Sequence, residues 1–126
     1  MRFPRPAVAW QSVRVTDAEQ TEWLTVPDLV ELLGQPPSRI RHLIDDRHLL
    51  ASRVDGVLKV PAVFLRDDAP VPELHGTAIV LADAGFTDAE SLEWLLGVDD
   101  SLGTTPIAAL RAGRKSEVRR VAQALA

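Results

Sequence analysis

Residues 24–65, LTVPDLVELLGQPPSRIRHLIDDRHLLASRVDGVLKVPAVFL, hold two short apolar-periodic segments, a Gly-x-Pro-Pro break between them, and two β-prone runs joined by Asp55-Gly56. The order they spell is helix, tight turn, helix, hairpin. Thr25 caps the first helix, with Asp28 three residues on to complete a capping box and Pro27 tolerated in the first turn. Val26, Leu29, Val30 and Leu33 then repeat at i, i+3, i+4, i+7, the spacing of one buried helix face. Gly34 ends that helix, Pro36-Pro37 forbids its continuation, and Ser38 is placed to cap or open the next one.

In the second helix Ile40, Leu43 and Ile44 share a face that packs on the first, leaving Ser38, Arg41, His42 and Asp45 opposite and Arg39 flanking. Such a helix is too short to be stable alone, and its polar, partly basic outer face suits the major groove of DNA. A solvated face is the ordinary explanation for one helix of this kind. Its neighbour changes the balance: Leu50–Val54 and Val57–Val60 flank Asp55-Gly56, the signature of a type I′ hairpin. Arg53 and Lys59 are expected near the tip, where a wing meets phosphates. The fold expected is mainly α, a winged helix-turn-helix with a two-stranded hairpin, followed by a small carboxyl-terminal helical unit.

The charge distribution agrees. Net charge is −4, yet from Arg39 to Arg66 there are six basic and three acidic residues, a local +3, whereas from Asp67 onward five basic residues face ten acidic, a local −5. The chain contains no cysteine, and His42, His48 and His75 show no metal-ligand spacing. Disulfides and thiolate metal sites are thereby excluded, and no cofactor is expected. No run approaches the about 20 apolar residues that span a bilayer, and MRFPRPAVAWQSVRV has no apolar block of a signal peptide, so a cytoplasmic protein without a membrane partner is expected.

Residues 1–22 carry Pro4 and Pro6 and no periodicity and read as a flexible tail, with Phe3 and Trp10 free to fold back onto the domain or serve a partner, and with Arg2, Arg5 and Arg14 either solvated, the ordinary reading, or a basic arm on DNA. Thr16 and Thr21 are hydroxyls beside acids that a kinase can use. Residues 23–66 form the winged helix-turn-helix, with Trp23 packing as a staple before the cap. Arg66–Pro72 is a polar, proline-bearing connection, and residues 73–126 form the helical unit. There Leu74, Ala78, Leu81 and Ala82 make a stripe ending at Gly85, and Thr87-Asp-Ala-Glu90 is a second capping box leading to Leu92, Leu95 and Leu96 with Trp94 close by. Thr105-Pro106 opens a short helix through Leu110; a last helix buries Val118, Val121, Ala122 and Leu125 and leaves Arg119, Arg120 and Gln123 outside. The paired carboxylates Glu90/Glu93 and Asp99/Asp100 fall on a capped helix start and in a loop, where capping and solvation account for them, so no enzyme is expected.

Val26-Pro27, Val30-Glu-Leu-Leu-Gly34, Ser38-Arg-Ile, Gly56-Val, Val60-Pro61, Ala84-Gly85-Phe, Trp94-Leu95, Asp100-Ser-Leu102 and Glu117-Val-Arg-Arg120 resemble a small actinobacterial winged-helix DNA-binding family. That family has a mycobacterial member phosphorylated by a Ser/Thr protein kinase. The resemblance implies double-stranded DNA as a partner, a role in transcription regulation or DNA architecture, and a kinase acting on the amino-terminal tail. No motif assigns a particular threonine. Trp94-Leu95, Leu102-Gly103, Thr105-Pro106, Leu110 and Gly113 are also similar to the toxin-binding domain of Xre/MbcA/ParS antitoxins, which implies a protein partner for the carboxyl-terminal unit. The DNA-binding residues expected are Ser38, Arg41 and His42 at base edges, Arg39 and Arg47 on phosphates, and Arg53 and Lys59 on the wing.

Overall fold

The computed structural model describes residues 22–125. The tail features read above, including Arg2, Arg5, Arg14, Phe3, Trp10, Thr16 and Thr21, lie outside the described residues. A strand β1 (Trp23–Thr25) runs directly into helix α1 (Val26–Leu33). The junction is the expected capping box: Thr25 Oγ1 accepts the Asp28 backbone N–H at 3.2 Å, and Asp28 Oδ2 accepts the Thr25 N–H at 3.0 Å. Gly34 closes α1 in the left-handed conformation at φ 66°, where a side chain is strained.

Helix α2 spans Pro37–Asp45. Its cap is Pro36, with no side-chain hydrogen bond, and Ser38 lies inside the first turn instead of capping it. The proline ring fixes φ without needing a donor, so the cap hydroxyl is dispensable there. At the other end the His48 N–H reaches Leu43 O at 2.8 Å and the Arg47 N–H reaches Ile44 O at 3.1 Å. That is a Schellman closure with Arg47 at φ 63°, the position glycine usually holds.

Strands β2 (Ser52–Val54) and β3 (Val57–Pro61) make the hairpin, turning through Asp55 at φ 54° and Gly56 at φ 81°. Both positive angles define the expected type I′ turn. The sheet is three-stranded, however, in the antiparallel order β1-β3-β2. Trp23 is therefore a strand residue opposite Pro61 and not a helix staple. After a single 3-10 turn at Ala62–Phe64, the expected polar connection is itself a hairpin, β4 (Leu65–Arg66) against β5 (Ala69–Pro70), with Asp67 and Asp68 at φ 56° and 61°.

Four helices complete the chain: α3 (Pro72–Asp83), α4 (Asp88–Leu96), α5 (Pro106–Arg111) and α6 (Lys115–Gln123). Thr87 and Glu90 form the second capping box, with bonds of 2.9 and 3.1 Å. Asp99 organises the α4–α5 loop, accepting Ser101 N at 2.8 Å and Trp94 Nε1 at 3.3 Å. Leu29, Ile40, Leu43 and Phe64 from the first half join Leu74, Leu81, Leu95, Leu110 and Val118 from the second in one continuous core. Val118 and Ala122 are buried as expected, whereas Leu125 lies beyond α6 and is 42% exposed. Among the described residues no helix is long and apolar enough to cross a membrane.

Candidate nucleic-acid interface

Helix α2 turns Ile40 and Leu43 into the core and leaves Ser38, Arg39, Arg41 and His42 exposed. No salt bridge among the described residues engages Arg39 or Arg41, so both guanidinium groups are available to a ligand. Arg41, Ile44 and Asp45 share a shallow cleft of about 180 Å³ with Leu58 of β3. The cleft marks where helix and wing meet.

The wing register separates the two cations expected on it. Arg53 lies opposite Leu58, and Lys59 opposite Ser52 and Thr25. Paired residues of an antiparallel ladder share a face and neighbours along a strand alternate. Arg53 therefore shares the Leu58 face, beside Arg41, while Lys59 projects from the other face. There Lys59 helps hold the Asp28 carboxyl below its ordinary range, after the larger effect of the hydrogen bonds from Thr25. Arg53 is exposed next to the turn and donates to Gly56 O at 3.4 Å.

Arg47 occupies a third environment. Its Nε donates to Asp88 Oδ1 of α4 at 3.1 Å, and its carbonyl accepts from His75 Nδ1 of α3 at 3.3 Å. A carbonyl can only accept, so that contact requires the proton on Nδ1. The His75 ring also stacks on His48, with centroids 4.1 Å apart and planes 15° apart. The two histidines that looked scattered in sequence thus fasten the carboxyl-terminal unit to the segment that closes α2. Farther along, Arg111 Nη1 donates to the carbonyls of Val63 (3.0 Å) and Leu65 (2.6 Å), and Arg66 Nη1 returns a bond to Arg111 O at 3.1 Å.

Sequence comparison places this geometry in a family. Residues 14–65 match the family described as DNA-binding protein Rv2175c, wHTH domain, and residues 71–126 match the Rv2175c C-terminal domain of unknown function. The DNA-binding protein Rv2175c of Mycobacterium tuberculosis (strain ATCC 25618 / H37Rv) is 35% identical over 114 residues, covering 80% of this chain and 78% of that protein. The chain belongs to the Rv2175c family. The NMR structure of Rv2175c superposes with a TM-score of 0.77 at 30% identity, covering 96% of this chain and 88% of the other. The family's winged helix-turn-helix assignment agrees with the fold built above, and its carboxyl-terminal domain brings no function with it.

Of the seven expected contact residues, Ser38, Arg39, Arg41 and His42 are exposed on α2, and Arg53 is exposed on the strand face it shares with Leu58, which lines the cleft with Arg41. Arg47 and Lys59 are turned elsewhere. The Lys59 placement was recoverable from sequence, because a two-residue turn at Asp55-Gly56 fixes Ser52 opposite Lys59 and Arg53 opposite Leu58. Arg47 carried no such signal, since its partner Asp88 is 41 residues away.

Proposed function

We propose that this protein binds duplex DNA, with α2 in the major groove and the wing on the phosphate backbone. The observation that carries this is the exposed outer face of α2, with free Arg39 and Arg41 beside the Arg53 side of the wing, in a chain of the Rv2175c family. Ser38, Arg41 and His42 approach base edges, Arg39 takes a phosphate, and Arg53 anchors the wing. Asp45 accepts from a cytosine amino group on the same face. Arg47 and Lys59 contribute to the local field without direct contact.

The test is a fluorescence-anisotropy titration on duplex DNA at two salt concentrations, wild type beside an Arg41→Ala/Arg53→Ala variant. Wild-type affinity should fall steeply with salt, and loss of a base-reading Arg41 should cost about 1–3 kcal/mol, roughly 5- to 150-fold in Kd. Absence of wild-type binding at low salt would refute the function. Selection from a random duplex library then separates two roles: an enriched motif identifies a transcriptional regulator, and no enrichment an architectural protein. A phosphate on the amino-terminal tail, adding a charge of about −1.5 to −2, would weaken binding by repulsion. Equal affinity of kinase-treated and untreated protein would dismiss that control.

A further inference from the structure

The acidic second half conceals a concentrated basic segment. Residues 114–120 contain four basic residues and one acid, whereas residues 67–113 contain one basic residue and nine acids. The single acid of the segment, Glu117, is spent on Arg114, which grips both its oxygens at 2.7 and 3.2 Å. Lys115, Arg119 and Arg120 have no salt-bridge partner among the described residues. These three line an open cleft of about 260 Å³ on α6 with Ser116 and Gln123.

Arg119 was expected outside, and it is half-buried instead. Its guanidinium lies against Gly76 of α3, where a β-carbon would collide with it, and its Nε is buried with no hydrogen-bond partner. Glycine is a poor residue inside a helix, and its missing β-carbon leaves the room that the Arg119 guanidinium occupies. Covering α3 would need only the aliphatic stem of the arginine. A cation seated on a helix backbone without a carboxylate, lining a cleft with two more free cations and a hydroxyl, is the chemistry of a phosphate site.

We infer that the α6 cleft is a second contact for the phosphate backbone of the bound duplex. This rests on the DNA-binding function proposed above. Gly76, against which Arg119 lies, follows His75 in α3, and the His75 ring stacks on His48 just beyond the end of α2, so α3 touches both the segment that closes the recognition helix and the arginine of the cleft. Each neutralised phosphate contributes about −0.9 to the slope of log K against log salt. Lys115→Ala/Arg120→Ala should therefore lower the slope by about 2, so that between 50 and 200 mM salt the wild type loses about tenfold more affinity than the variant. The loss should be alike on unrelated sequences, because phosphates carry none.

Gly76→Ala provides the second arm. Its only collision is with the far end of a flexible side chain, so the fold should persist by circular dichroism while Arg119 is displaced and the slope falls by about 1. Unchanged slopes in both variants, with wild-type binding intact, would overturn the cleft contact alone. Failure of the wild type to bind DNA would overturn it together with the function it rests on. A titration with inorganic phosphate that moves the Ser116 and Arg119 amide resonances, alongside unchanged slopes, would assign the cleft to a free anion and equally overturn the duplex contact.

Discussion

The two halves of this chain should unfold as one, and Phe64→Ala is the perturbation that tests it. Phe64 lies in the 3-10 turn after the wing, is fully buried, and belongs to the core cluster shared with Leu74 and Leu110. That turn packs on α5, so its ring belongs to the interior of both sequence-defined units. Truncating a buried phenylalanine costs about 3–5 kcal/mol, counting transfer and the cavity left behind. Against a total stability of about 5–15 kcal/mol this is a large fraction. For a fold of this size it corresponds to a fall of roughly 12–20 °C in Tm.

Two tryptophans provide local probes: Trp23 in β1 and Trp94 in α4, the latter bonded to Asp99. In single-tryptophan proteins with the remaining tryptophans replaced by phenylalanine, urea unfolding should give coincident curves. Phe64→Ala should shift both midpoints equally. A Trp94 transition that stays at its wild-type midpoint while the Trp23 transition moves would refute a shared cooperative core.

Three further outcomes are expected. Arg47→Gly removes a left-handed non-glycine residue at φ 63° along with a half-exposed ion pair, a relief of about 1–2 kcal/mol set against a loss of about 0–1 kcal/mol; urea midpoints should stay at or slightly above wild type, and the salt slope of DNA binding should not change, whereas a drop of about 1 would put Arg47 on a phosphate. The hydrogen bonds from Thr25 hold the Asp28 carboxyl below its ordinary 3.8, so its stabilisation is fully present above that pH and is lost as pH falls through the lower folded value; Asp28→Ala should be less stable than wild type at pH 7, with the gap closing toward pH 2 in thermal melts, and a constant gap would contradict the cause given. Thr77 is fully buried with an unpartnered Oγ1, so the near-isosteric Thr77→Val should raise stability by about 1 kcal/mol in urea unfolding, and a loss would mean the hydroxyl has a partner.

What was legible in the sequence is what local chemistry decides. The capping boxes at Thr25 and Thr87 are complete within four residues, and Asp55-Gly56 specifies its own turn because glycine and aspartate tolerate positive φ. The apolar spacing of Leu29, Ile40, Leu92 and Leu95 gave their burial. Strand β1 escaped, since three residues are too few to show alternation and its partner Val60 is 36 positions from Leu24. The Asp67-Asp68 turn escaped because it lacks the glycine that marks such hairpins. Arg119 looked like an ordinary exposed cation on α6; only the glycine it meets, 43 positions earlier, explains its half-burial.

The long-range contacts also explain why a nine-residue recognition helix can be held in place at all. A helix of that length does not persist alone, and α2 has no side-chain cap at its start and ends on Asp45-Asp46, whose charges oppose the helix dipole. Its closure therefore depends on Arg47, and Arg47 is held by Asp88 and His75 of the carboxyl-terminal unit. The second unit thus takes part in presenting Ser38, Arg41 and His42 even though it supplies none of them. Residues that orient α2 without facing a ligand form a set distinct from those that touch one: substitutions at His48 or His75, which hold the backbone of the closing turn, should alter every contact of α2 together, whereas substitutions at Arg39 or Arg41 alter one.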